Sequence, residues 1–478
     1  MERRPHWFDY VSINSYWFAL TARSQALTPL IIPLLVQQFI GEEAKGAFVG
    51  VIRLWALMVA VLVQALVGVL SDRSRLGWGR RRPFIVVGAA GELVILAMLG
   101  LVPGLEGATG YWALFVLYVL SMFASNVAHA GTQALIPDLV PDARKGLFSG
   151  VKALFELPLP MIFVALVVGR LVARGNLWGG LAALAAAIVC CVVVALWAPE
   201  EAYRASLPVL DWRPFLRLLA MTLAFTATIL GSGAAVRAAV ALLAPGGASS
   251  ARLAVAAVGV VGMLGAAVLG VWLSIRIGLG NAARGHRSFA WWVVNRLLCL
   301  VASTNLGQFM IFFLQERFPE FQGLSAAGPA TMVLMFVGLF MLLVVLPSGW
   351  LADRVSKRLL MLVAGIVAAL GTLVVVAIPH IAAVYAGGSL VGVGMGVFYA
   401  ANWALGTAIV PADRAGQFLG LSNLAGAGAG AIGAYIGGPL ADRMSYALLM
   451  GIYGLLFLLA TLAILGIKEG APQGALLK

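Results

Sequence analysis

The sequence predicts an all-α polytopic membrane protein, with two six-helix repeats, an inserted central helix pair and about fourteen transmembrane helices. Three observations carry this. First, the 478 residues are 62% hydrophobic and only 11% charged. A soluble chain of that size cannot cover so much apolar surface. Second, the apolar residues come in runs of about 20 or more, the length that spans hydrocarbon. Charges fall in the gaps between runs rather than along one face of each, as they would in a large soluble core. Third, one short motif occurs twice: GVLSDRSRLGWGRRRP from Gly68 to Pro83, and GWLADRVSKR from Gly349 to Arg358. A second pair of matching gaps follows each, IPDLVPDARKG around Pro137 to Gly146 and IVPADRAGQ around Pro411 to Gln417. Duplicated membrane bundles are a common way to build a secondary transporter.

Taken in order, the apolar segments run roughly 12–39, 47–70, 83–103, 111–136, 147–173, 177–198, 214–243, 252–278, 289–314, 327–351, 359–379, 381–410, 414–440 and 446–467. With the N-terminus in the cytoplasm and strict alternation, twenty-one Lys and Arg fall in inside gaps and six in outside gaps. Five more lie inside segments: Arg23, Arg53, Lys152, Arg237 and Arg296. The bias predicts that both termini are cytoplasmic. Asp72 and Asp353 each follow the second helix of a repeat. Residues 1–199 are therefore read as the first six-helix unit and 287–478 as the second. Residues 200–286 hold the inserted pair, which turns outside at APGGASS, Ala244 to Ser250. A cysteine placed at Ser249 is expected to label from the outside; labelling only from the inside would show that the pair does not span.

The net charge of +13 does not indicate nucleic-acid binding, because the basic residues sit in alternate gaps instead of one stripe. Cys190, Cys191 and Cys299 lie in apolar runs with no metal or disulfide spacing, and read as small buried side chains. No cofactor, no metal and no enzymatic chemistry is expected. A Gly-x-x-x-x-Gly-Lys-Ser/Thr loop is missing, so ATP drive is not expected either. MERRPHWFDY lacks a signal-peptide core, so the first apolar run is expected to remain as a helix.

Two six-helix units, each with Gly-x-x-x-Asp-Arg and a basic cluster after its second helix, resemble the major facilitator superfamily. The long, arginine-rich first copy, SDRSRLGWGRRRPFI (Ser71 to Ile85), is similar to the glycoside–pentoside–hexuronide cation symporters and the sucrose–proton transporters. ALIPDLVPDARKGLFSG (Ala134 to Gly150), NWALGTAIVPADRAGQFLGLSNLAGAGAG (Asn402 to Gly430) and GGPLADR (Gly437 to Arg443) fit the same group. Drug–proton antiporters also have fourteen helices, but their fifth helix carries a Gly-rich stretch ending in Gly-Pro. Here that helix reads KALFELPLPMIF, Lys152 to Phe163. The resemblance implies that Asp72, Arg73, Arg80, Arg81 and Asp138, with Asp353, Arg354, Asp413 and Arg414 in the second unit, form a cytoplasmic charge relay that latches the units. It also implies acids near Asn402 and Ala408, which this chain lacks.

Polar residues inside a bilayer are costly and mark function. The candidates here are Arg23, Glu92, Asn126, His129, Lys152 and Glu156 in the first unit. In the second they are Arg296, Asn305, Gln308, Asn402 and Trp403. Lys152 and Glu156 are four apart and share a helix face. An acid in low dielectric binds its proton more tightly and can exchange it near neutral pH, and Glu156 is preferred to Glu92 because a cation adjoins it. Pro29 and Pro33 should bend the first helix near Arg23. Arg23 and Arg296 stand on the first helix of each unit and could hold an anionic solute or balance the two acids. Tyr16, Trp17, Tyr399 and Trp403 are candidate pocket aromatics. The expected activity is proton-coupled symport of a small organic solute, such as a sugar or glycoside, bound between the two units. Exporters and facilitators of the same fold, or an assembly factor without transport, are the alternatives. The expected partners are the solute, a proton or other cation and the lipid of the cell membrane, with the protein acting as a monomer.

Overall fold

The computed structural model describes residues 6–141, 144–200, 212–243, 249–280, 287–410 and 415–467. Among them every regular element is helical. The long helices are α1 (Trp7–Ile40), α2 (Lys45–Asp72), α3 (Arg82–Gly104), α4 (Gly107–Leu139), α5 (Lys145–Ala173), α6 (Leu177–Ala195) and α7 (Arg213–Leu243). They continue with α8 (Ser249–Leu279), α9 (Arg287–Arg317), α10 (Ala327–Ala352), α11 (Lys357–Ala377), α12 (Ile381–Ile409), α13 (Ala415–Arg443) and α14 (Tyr446–Ala463). One helix stands at each of the predicted segments. Thirteen helical stretches among the described residues are long and apolar enough to cross a membrane. The chain is a polytopic α-helical membrane protein. The turn between the inserted helices, the Arg3 and Arg4 end, Asp413 and Arg414 lie outside the described residues.

Contacts divide the chain into two compact units. The first holds Met1–Gly41, Trp55–Leu216 and Glu320–Met335. The second holds Glu42–Leu54, Arg217–Pro319 and Phe336–Lys478. In the first unit α1 is broken where proline forbids the regular ladder. A π-turn spans Leu27–Ile31, around Pro29, and Pro33 opens the last helical stretch. A Pro removes one N–H and displaces the carbonyl four residues back, so a wider turn relieves the clash. α5 is interrupted at Leu157, ahead of Pro158 and Pro160. α1 is held by backbone acceptors of its neighbours: Asn14 Nδ2 donates to Phe148 O at 3.4 Å and Ser15 Oγ to Cys191 O at 3.1 Å. Cys191 and Cys299 are buried as expected, but Cys190 is exposed, because adjacent helix positions point 100° apart.

In the second unit α9 is far more enclosed than α10, with 83% of its most apolar window buried against 28%. Its Phe309, Phe312 and Phe313 are fully buried. α11 and α12 approach at Gly371 and Gly387, where any Cβ would strike the opposite backbone. Small residues permit such contact, and dispersion rather than the hydrophobic effect drives it in lipid. The inserted pair packs on α13. Phe225 sits where Gly270 and Gly428 leave room, and Arg237 donates to the Tyr435 hydroxyl at 3.0 Å while lying over its ring. That contact accounts for an arginine so far inside an apolar run. At 31 residues each, both helices exceed the hydrocarbon thickness of about 30 Å at 1.5 Å per residue.

Candidate functional site

In the first unit, three clusters gather the predicted residues. One is sealed. Arg23 Nε meets Glu92 Oε1 at 3.0 Å, with side chains only 4% and 2% exposed. Ser121 Oγ donates to the same carboxylate oxygen at 2.6 Å and in turn accepts from Arg23 Nη2. The guanidinium also faces Met122 Sδ and lies over the Tyr118 ring. Tyr118 bonds Thr28 at 2.7 Å, inside the π-turn. The acid that the sequence ranked second is thus the counter-ion of Arg23, and ties α1, α3 and α4 together.

The second cluster is open. Lys152 Nζ and Glu156 Oε2 are 3.1 Å apart, as their helical spacing predicts. Lys152 lies over the Trp17 ring at 3.8 Å, and Trp17 meets His129 edge-on at 5.1 Å. The Trp17 Nε1–H is buried without an acceptor among the described residues. Glu156 was expected deep and buried; its side chain is 37% exposed. The break at Leu157 ends the helix immediately after it, and a helix end cannot bury its flank as a continuous helix does. Asn126, also a candidate, instead donates to Met122 O of its own helix at 2.7 Å.

The third cluster sits at the Asp-Arg motif. Arg81, 5% exposed, donates to Asp72 at 2.5 Å, Asp138 at 2.8 Å and Ser71 at 2.5 Å. Arg80 bonds Asp138 at 2.9 Å and lies 3.7 Å from Asp72. Burial works against the charged Arg81 guanidinium. The bonded carboxylates of Asp138 and Asp72 outweigh it and hold its pKa above the ordinary arginine value. Arg73 is half-buried. Sequence reasoning missed Glu200. Its carboxylate accepts the backbone N–H groups of Arg80, Arg81 and Arg82 at 2.7, 2.5 and 3.0 Å, capping the start of α3. An acid just past the sixth apolar run, in APEEAY, was the available signal.

The second unit answers differently. Asp353 is exposed without an ion-pair partner among the described residues, and Arg354 stacks on Trp350 at 3.7 Å. Arg296 Nη1 donates to Asn402 Oδ1 at 2.8 Å, and the guanidinium carbon lies 5.9 Å from the Trp292 and Trp403 ring centroids. Trp292 Nε1 donates to Asn402 O at 3.0 Å and its ring fills the space that Gly406 leaves, so α9 and α12 are fixed at this point. Asn305 serves packing: it donates to Val301 O at 2.8 Å and to Ala429 O at 3.3 Å. Gln308 is buried on the same helix.

A further charged cluster went unnamed in the sequence reading. Asp442, in GGPLADR, accepts from Gly46 N at 2.8 Å, Ala47 N at 2.7 Å and the Tyr446 hydroxyl at 2.8 Å. Lys45 beside it is paired with Glu42 at 2.6 Å and faces Phe312.

Known proteins agree with this architecture. A D-xylose–proton symporter structure superposes with a TM-score of 0.66 at 14% identity, over 98% of this chain and 99% of that one. A mutant form of the peptide transporter POT gives 0.66 at 15% over 97% and 96%. The nucleoside transporter NupG, also in a mutant form, gives 0.63 at 13% over 96% and 99%. At these identities the likeness is one of fold. No curated protein sequence matches the chain. The Major Facilitator Superfamily profile matches residues 15–434, nearly the whole helical array, and the chain belongs to that superfamily of membrane transporters.

Proposed function

We propose that this protein is a secondary active transporter that works by alternating access and couples a proton to the symport of a small organic solute. A sugar or glycoside is the expected class, with the glycoside–pentoside–hexuronide and sucrose–proton group as the subfamily. It acts as a monomer in the cell membrane with both termini in the cytoplasm. Residues 1–199 and 287–478 are its repeats, and 200–286 the inserted pair.

One observation carries the coupling. A coupled proton must enter and leave its site. Glu92 is sealed against Arg23 at 2% exposure, whereas Glu156 is 37% exposed and held by a lysine that an arriving solute could draw away. Drawing the lysine away changes the charge beside the carboxylate, which links solute binding to the proton site. Solute-dependent proton uptake in proteoliposomes tests the reading. An exporter would show solute-dependent proton movement in the opposite sense, and an assembly factor none.

The Asp72–Arg81–Asp138 cluster supports the latch. Asp72→Asn is expected to slow transport by about tenfold while the protein stays folded, since a hydrogen bond to a charged group contributes about 1.5–3 kcal/mol. Asp72 is half exposed, which places the effect at the low end. Unchanged initial rates of uptake would remove the latch from the mechanism.

A further inference from the structure

Among the described residues, Arg23 has Glu92 beside it, Lys45 has Glu42 and Lys152 has Glu156. Arg296 has none among the described residues. Its Nη1 is committed to Asn402 Oδ1. That bond fixes the Asn402 amide, because the oxygen must face the guanidinium and the nitrogen must face away. Asn402 is fully buried, and its Nδ2 donates to nothing among the described residues. Arg296 Nε is also buried without an acceptor. One positive charge and its open Nε–H therefore stand where α9 meets α12, with the open Asn402 Nδ2 on the far side of the amide, and among the described residues no acceptor serves either donor.

Such an arrangement is costly if it stays empty. A buried donor left unmade loses its water without replacement, and the loss is greater when it is charged. The Trp292 and Trp403 faces temper the charge, but they accept no in-plane hydrogen bond. With Nη1 used, the Nε and Nη2 edge of the guanidinium remains, two parallel N–H groups at the spacing of a carboxylate's oxygens. Trp403 is 50% exposed and Tyr399 37%, so the open side of this corner is aromatic.

We infer that Arg296, held in place by Asn402, binds the carboxylate of the solute, and that the solute is a monoanion with a ring or apolar body that lies on Trp403. The class of solute rests on the transport reading above; the anion site does not. A neutral sugar would leave Arg296 uncompensated. A dianionic phosphate would bring one charge too many for a single arginine.

Thermal melts of the purified full-length protein test this with matched probes: glucuronate against glucose, and benzoate against benzamide. The carboxylate of a pair should raise the melting temperature and its neutral partner should not. Arg296→Gln should weaken carboxylate binding about tenfold or more, and Arg296→Lys should weaken it less. Equal effects of the two members of each pair, no effect of either carboxylate on the wild type, or undiminished binding by Arg296→Gln would overturn the proposal. The ligand-free protein gives a second readout. Glutamine still offers Asn402 Oδ1 a donor but removes the uncompensated charge, so Arg296→Gln should melt higher than wild type by about 1–3 °C. A lower melting temperature would mark Arg296 as a structural brace and also overturn the site. Proteoliposomes separate the two readings. A carboxylate that binds but is never taken up would defeat transport and leave the site. Uptake of a neutral solute that ignores Arg296→Gln would defeat the site and leave transport.

Discussion

Glu156→Gln is expected to abolish proton-driven accumulation of solute while leaving solute exchange across the membrane intact. Glutamine keeps the shape of the side chain and mimics the protonated acid, so the solute-bound cycle can still turn over. What it cannot do is release a proton, and accumulation against a gradient needs that release. The expected loss is complete in accumulation and within about twofold in exchange, since only the thermodynamic link is cut. Lys152 supplies the second arm. It stands 3.1 Å from the carboxylate and over Trp17. Lys152→Ala removes the cation that holds the carboxylate, so solute binding and the proton gradient should come apart and accumulation should fall while exchange continues. Counterflow and proton-driven uptake, measured on the same proteoliposomes, decide the matter. Glu156→Gln vesicles that still concentrate solute would show that the proton travels elsewhere.

The largest effect on stability is expected at the sealed pair. Glu92→Ala leaves Arg23 charged, 4% exposed and without its carboxylate, in the middle of a helical bundle. Removing one partner of a buried ion pair costs about 3–5 kcal/mol, because the remaining charge has neither water nor counter-ion. Ser121 would lose its acceptor as well. The double replacement Arg23→Met with Glu92→Met should recover most of that loss, since apolar side chains of similar volume carry no desolvation penalty in the same space. Unfolding midpoints in a denaturing detergent series give the comparison. A single mutant as stable as the wild type would show that the pair does not hold α1 to α3. A double mutant as weak as the single would show that side-chain shape, rather than charge, is what this site requires.

These expectations show where sequence and structure part. The 3.6-residue period made the Lys152–Glu156 contact legible at once, because residues four apart on a helix have no choice but to be neighbours. Pro29 and Pro33 announced the irregular turn of α1 for an equally local reason. Arg23 and Glu92 were each visible as costly residues inside apolar runs. Their pairing was not, since the two lie 69 positions apart and only the packing of α1 on α3 joins them. Glu200 was invisible for the same reason: it caps the start of a helix about 120 positions earlier. Exposure was misjudged at Glu156 because an apolar run reports a lipid-compatible segment and not which of its faces is covered.

The sequence by itself determined that this chain is an all-helical polytopic membrane protein of the major facilitator kind. Run length, charge placement and a repeated motif are one-dimensional signals, and the bilayer reads them directly. Only the tertiary structure decided which charges are spent on each other and which are left over. Arg23 and Arg296 hold equivalent places in the sequence, on the first helix of each repeat. One is neutralised by an acid brought in from another helix, and the other meets an amide and two tryptophans instead. The reason is that a charge in low dielectric is defined by the few atoms around it, and those atoms are supplied by segments that adjoin only after the helices have packed.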